Sequence, residues 1–150
     1  MSDSVDILLV DNEQDSVDTR LKWLDEAGYT ATPITTLSGA WACIEDYKDE
    51  NNGKLPLVLL DIMMPTIGDL DWLSDYEKEK LKITAPTAGL VFAEKLKETY
   101  SDIKIAWHSV RHSDEIAVAE KIKKLGFGLV QKDLQNQTEF LKEIKEVFKL

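Results

Sequence analysis

The chain has one cysteine, Cys43, which excludes an internal disulfide and suits a reducing cytoplasm. It has no apolar run that approaches a membrane span, so no transmembrane helix is expected. It lacks basic residues relative to acidic ones. Lys and Arg number 18 against 28 Asp and Glu, for a net charge of -10, whereas a nucleic-acid surface needs a basic face. The opening residues, Met1-Ser2-Asp3-Ser4-Val5-Asp6, are acidic and unlike a secretory signal. There is no internal repeat and no low-complexity tract. What remains is 150 residues, 43% hydrophobic, which is enough for the core of a single domain.

Strand and helix patterns alternate along that domain. Asp6 to Val10 reads as a short buried strand. Val17, Leu21, Leu24 and Ala27 recur at helical spacing, and Gly28 sits where a helix ends. Tyr29 to Ile34 is a second strand, with Pro33 marking a sheet edge or a strand end. Leu37, Trp41, Ile44 and Tyr47 give the next helix its inner face. Leu57 to Asp61 is the third strand, a continuous apolar run that ends on a carboxylate. A third helix covers Thr87 to Tyr100, and a fourth strand covers Ile103 to His108. Ile116, Ala119, Ile122 and Leu125 mark a fourth helix, closed by Gly126. Gly128 to Gln131 is the fifth strand. Asn136 and Glu139 open a last helix at capping-box spacing, and it buries Phe140, Ile144, Val147 and Phe148. Such alternation predicts an α/β fold, a doubly wound five-stranded parallel sheet with helices on both faces.

Residues 66–86 break the rhythm. They separate the third strand from its helix, where about 2–6 residues usually suffice. Trp72 and Tyr76 lie in a charged stretch there. Its bland reading is a solvated face; its functional reading is a partner surface.

In an open parallel sheet, ligands bind beyond the carboxyl ends of the strands. Four such ends carry chemistry: Asp11-Asn12-Glu13, Asp61, His108-Ser109 and Gln131-Lys132. Singly, each residue is no more than a turn residue, a helix cap or a solvated side chain. Together they place carboxylates, a hydroxyl and an ammonium around one pocket. Clustered carboxylates repel each other, and a divalent cation relieves them; oxygen ligands with retained waters suit Mg²⁺. A carboxylate beside such a cation can act as a nucleophile toward phosphorus, with the metal and a lysine neutralising the transferred charge. His108 and His112 are a weak metal pair, because a strand end falls between them. Trp107 reads as packing, and Cys43 as a small packed side chain.

On these residues the chain resembles a response-regulator receiver domain of two-component signalling. Leu8-Leu9-Val10-Asp11-Asn12-Glu13 resembles the acidic first loop, and Asp61-Ile62-Met63-Met64-Pro65 the phosphorylation motif. Ser109 stands at the switch hydroxyl, and Lys132 at the family's lysine. The resemblance spans Ile7 to Phe148 except the insertion 66–86. It implies the flavodoxin-like (βα)5 receiver fold with strand order 2-1-3-4-5, one receiver domain over residues 1–150 and no output domain. It implies that Asp61 is the phosphoacceptor, contacted through its phosphoryl group by Ser109 and Lys132. Asp11, Asn12, Asp61 and the backbone carbonyl of Met63 would hold Mg²⁺. The implied partners are a histidine kinase or phosphotransfer protein and a downstream protein at the face of the fourth helix, fifth strand and fifth helix. A homodimer is a further assembly open to it. A cytoplasmic signalling role follows, with self-catalysed phosphotransfer and slow dephosphorylation rather than metabolic catalysis.

Three departures bear on this. Asn12 replaces the more usual Asp and removes one negative charge, which predicts weaker Mg²⁺ binding. Asp133 follows Lys132 where the family has proline. Leu129 stands where many receivers carry an aromatic switch partner. They support an alternative, a degenerate receiver that binds a partner without phosphorylation. Two other readings fit less well. An aspartate-dependent phosphatase wants a carboxylate where Met63 stands, and a flavin carrier wants a phosphate loop that Asp11-Asn12-Glu13 would repel.

Overall fold

The computed structural model describes residues 6–61, 88–109, 127–131 and 136–150. Their elements run β1 (Asp6–Val10), α1 (Gln14–Glu26), β2 (Thr30–Ile34), α2 (Leu37–Glu50), β3 (Leu57–Asp61), α3 (Ala88–Thr99), β4 (Lys104–Ser109), β5 (Gly128–Gln131) and α4 (Gln137–Phe148). The helix expected at Ile116 to Leu125 and the insertion 66–86 lie outside the described residues. The five strands form one parallel sheet in the order β2-β1-β3-β4-β5. The expected α/β fold and strand order are therefore present.

The central strands are apolar because both of their faces are covered. Every residue of β1 after Asp6, and of β3 after Leu57, is buried. Alternation along each strand then divides the core in two. Leu8, Val10, Val58, Leu60, Ile105 and Trp107 point to one side, where α2 and α3 bring Leu37, Ala40, Ile44, Phe92, Ala93 and Leu96. Ile7, Leu9, Leu59, Ala106 and Val130 point to the other, where α1 and α4 bring Val17, Leu24, Phe140, Ile144 and Phe148. Each fully buried Val, Leu, Ile or Phe among them contributes about 1.5–3 kcal/mol. β2 is more polar, with Thr30, Thr32 and Pro33 exposed. Its place at the end of the strand order fits that composition, and Pro33 pairs in register with Leu9.

The helix ends follow from their residues. Thr36 caps α2 by accepting from the Gly39 N–H at 3.1 Å. Asn136 caps α4 by accepting from the N–H groups of Thr138 and Glu139. Just past α1, Gly28 takes φ 89, the left-handed turn that a residue without Cβ adopts freely.

Some inner faces differ from the expected ones. On α1, Val17, Arg20 and Leu24 are buried, Leu21 is half-buried and Ala27 is exposed. Arg20 can turn inward because aromatic rings receive its guanidinium, at 4.6 Å from the Trp23 ring centre and 5.1 Å from that of Phe140. On α2, Ala40 is buried, while Trp41 and Tyr47 flank the core half-buried. Trp41 meets Phe92 edge to face at 6.0 Å. Val147 of α4 is likewise half-buried. Trp107 packs, as its sequence setting indicated, wholly buried and against Phe127. Cys43 is half-buried, and burial, then Asp46 and Glu50, push its thiol pKa up.

Candidate functional site

The register decides which residues meet. Val10 pairs with Leu60, so the next positions, Asp11 and Asp61, leave the sheet side by side. Asp61 pairs in turn with His108. Asp11, Asp61 and His108 form one row across β1, β3 and β4. By strand alternation all three fall on the side of α1 and α4.

Asp11 is completely buried, and Asp61 is 4% exposed. The Asp11 backbone N–H donates to the Ile34 carbonyl at 3.0 Å, which extends the β1–β2 ladder by one residue. Its side chain then turns the chain, with Oδ1 accepting from the Glu13 N–H at 2.8 Å. Glu13 occupies the N-cap of α1 but makes no side-chain capping hydrogen bond. Its carboxylate joins the strand-end acids instead: ligand oxygens of Asp11, Glu13 and Asp61 all lie within 4.8 Å of one another. Two charges at that separation repel by roughly 3 kcal/mol at an effective dielectric of about 20. Three ionised carboxylates so placed favour a bound cation. The N-terminus of α1, which begins at Gln14, also eases negative charge at this point.

The donor set fits a hard divalent cation. It is all oxygen, it carries several negative charges, and its exposed member, Glu13, leaves an approach from solvent. Asn12 is exposed beside it. The charge lost at Asn12 thus has a counterpart in Glu13, a residue that the sequence reading left outside the ligand set.

His108, which the sequence reading placed at a strand end and weighed only as a weak metal pair with His112, also lies here. It is fully buried, and its Nδ1 lies 3.6 Å from Asp11 Oδ2. That is an ion-pair distance rather than a hydrogen bond. Its ring packs on Phe140, with 6.2 Å between ring centres. The one available signal was its place at the end of β4, level with Asp61.

Ser109 is the last residue of β4 and pairs in register with Gln131, which puts its backbone at the same rim. Met63, Lys132, Asp133 and His112 lie outside the described residues. Hollows lined by Lys97, Ile103, Lys104 and Val147, and by Lys54, Pro56, Leu57 and Asp102, lie at the amino ends of the strands, away from the carboxylates.

The architecture compares with solved receiver domains. A CheY-like response regulator receiver domain protein from Methanospirillum hungatei has a TM-score of 0.67 at 21% identity, covering 95% of this chain and 92% of its own. The chemotaxis protein CheY4 of Vibrio cholerae has a TM-score of 0.68 at 18% identity, covering 96% and 98%. The signal receiver domain of an HD domain-containing protein from Pseudomonas fluorescens has a TM-score of 0.71 at 12% identity, covering 99% and 90%. At these identities the likeness is one of fold, and the fold is the CheY-like receiver fold. No family model matches the sequence, and no curated protein matches it.

Proposed function

We propose that this chain is a phosphoacceptor receiver, in which Asp61 takes a phosphoryl group from a histidine kinase or phosphotransfer protein. The observation that carries this reading is the grouping of Asp61 with Asp11 and Glu13 at the carboxyl end of a central strand. An Asp61 carboxylate oxygen attacks phosphorus, and the bond from phosphorus to the donor's imidazole nitrogen breaks with its electron pair. The product is an acyl phosphate on Asp61. When bound, Mg²⁺ would supply charge neutralisation for the transferring group. Asp11, Glu13 and Asp61 would hold it, with Asn12 and the Met63 carbonyl as the remaining protein donors. Ser109 and Lys132 are the groups assigned to the phosphoryl oxygens. The phosphorylated chain then shifts a pre-existing equilibrium and alters a partner surface that includes β5 and α4. The role is cytoplasmic signalling rather than metabolic catalysis. Among the described residues no helix is long and apolar enough to cross a membrane.

Incubation with Mg²⁺ and acetyl phosphate, read by intact mass, tests the proposal. The expected result is the gain of one phosphoryl group, abolished in Asp61→Ala and by removal of Mg²⁺. A wild-type chain that gains no mass overturns the reading in favour of the phosphorylation-independent adaptor.

A further inference from the structure

We infer that His108 is a positioning residue for Asp11, and that through Asp11 it sets how tightly the acidic cluster binds a divalent cation. This role rests on the phosphoacceptor reading and adds to it a residue that touches neither cation nor phosphoryl group. The register puts His108 beside Asp61, and Asp11 on the far side of Asp61. Their backbones are two strand spacings apart, about 10 Å. The side chains nevertheless meet, with Nδ1 of His108 at 3.6 Å from Oδ2 of Asp11. His108 therefore reaches past the phosphoacceptor strand to the acid beyond it.

Both groups are completely buried, so bulk water does not orient the carboxylate. One Asp11 oxygen is fixed by the Glu13 N–H at 2.8 Å, and the other faces the imidazole. The Glu13 N–H holds one oxygen by a hydrogen bond, and the imidazole edge stands against the other at ion-pair distance. A hydrogen on Nδ1 would meet the carboxylate favourably, whereas a bare lone pair there would repel it. The imidazole is itself held by the Phe140 ring, which packs on Trp23 at 5.6 Å between centres and lies under Arg20. Support then runs from α4 through His108 to Asp11. Partners of this kind behind a metal ligand typically change metal affinity about 10–100-fold when removed.

Three substitutions separate positioning from simple packing. His108→Asn keeps an N–H donor the same number of bonds from Cα as Nδ1. His108→Gln moves that donor one bond further out, and His108→Leu removes it. The probe is MnCl₂, with bound metal counted from loss of the free-ion electron paramagnetic resonance signal and folding checked by thermal melting. The expected result is near wild-type affinity for Asn and about tenfold or greater weakening for Gln and Leu. Gln and Leu remove the donor independently, so either one that folds decides the matter. Equal affinity in wild type, Gln and Leu overturns the role of His108 and leaves the phosphoacceptor reading standing. Weakening in Asn as large as in Gln also overturns it. A wild-type chain that takes up no Mn²⁺ overturns the metal site, and with it both proposals.

Discussion

Both faces of the sheet bury an apolar cluster, but they differ in what else they bury. Under α2 and α3 the described core is aliphatic and aromatic throughout. Under α1 and α4, Asp11, Arg20, Asp61 and His108 are buried together with Phe140, Ile144 and Leu24. A buried charge is expensive unless it is matched. That face supplies matches: aromatic rings for Arg20, and an imidazole for Asp11. The difference teaches that the acidic rim depends on one core rather than on both. The face of α2 and α3 buries apolar side chains, while the face of α1 and α4 buries those and the acidic rim as well.

The most severe way to break this contrast is to empty one aromatic site on each side. Phe140→Ala and Phe92→Ala should each lose about 3–5 kcal/mol in urea unfolding. Of the two, Phe140→Ala alone should also weaken Mn²⁺ binding, because Phe140 packs on His108 while Phe92 belongs to the opposite core. Equal metal affinity in the two variants, measured well below their unfolding midpoints, would show that the faces are equivalent.

A smaller effect is expected at the turns that follow the first two helices. Gly28 closes α1 at φ 89, and Gly53 follows α2 at φ 87. Alanine at either position should cost about 1–2 kcal/mol, the penalty of a left-handed residue with a Cβ. Metal affinity should not change in either variant. A shift in Gly28→Ala alone would extend the functional face along α1 to its far end.

The smallest effect concerns a polar contact on the α2 side. Burial first, and then the hydrogen bond that its hydroxyl donates to Asp6 Oδ2 at 2.6 Å, push Tyr47 from 10.0 up to about 12. The unfolded chain ionises this phenol at its ordinary value, near 10. The stability that it lends is therefore complete below pH 10 and is lost as the pH rises through 12. Between those values the urea midpoint of wild type should fall more steeply than that of Tyr47→Phe. Parallel curves would remove Tyr47 from the account.

Much of this contrast could be read in the chain itself, and the reason is local. Runs such as Leu57-Val58-Leu59-Leu60 carry their burial in composition, and Asn136 and Gly28 carry helix ends in their backbone chemistry. Asp61 alone reads as a turn residue or helix cap, and it stood out because three other strand ends carry matching groups. Arg20 stayed outside the inner face drawn from helical spacing; the rings of Trp23 and, from α4, Phe140 are what receive its inward guanidinium. The link between His108 and Asp11 needed the register of three strands, which no pairwise spacing reveals. Glu13 stayed outside the ligand set for a similar reason: where its longer side chain points depends on the turn made by Asp11.

Pro33 has a consequence for how copies of this molecule meet. The carbonyl of Ile34 faces β1, where it accepts from Asp11, so its neighbour Pro33 directs its own backbone groups outward. Its ring nitrogen has no hydrogen to offer. A strand from another molecule laid along β2 would find a missing donor in the middle of the ladder it needs, and Thr30 and Thr32 offer it little apolar cover. Self-templated growth of the sheet is thereby discouraged at this border by a single imino acid.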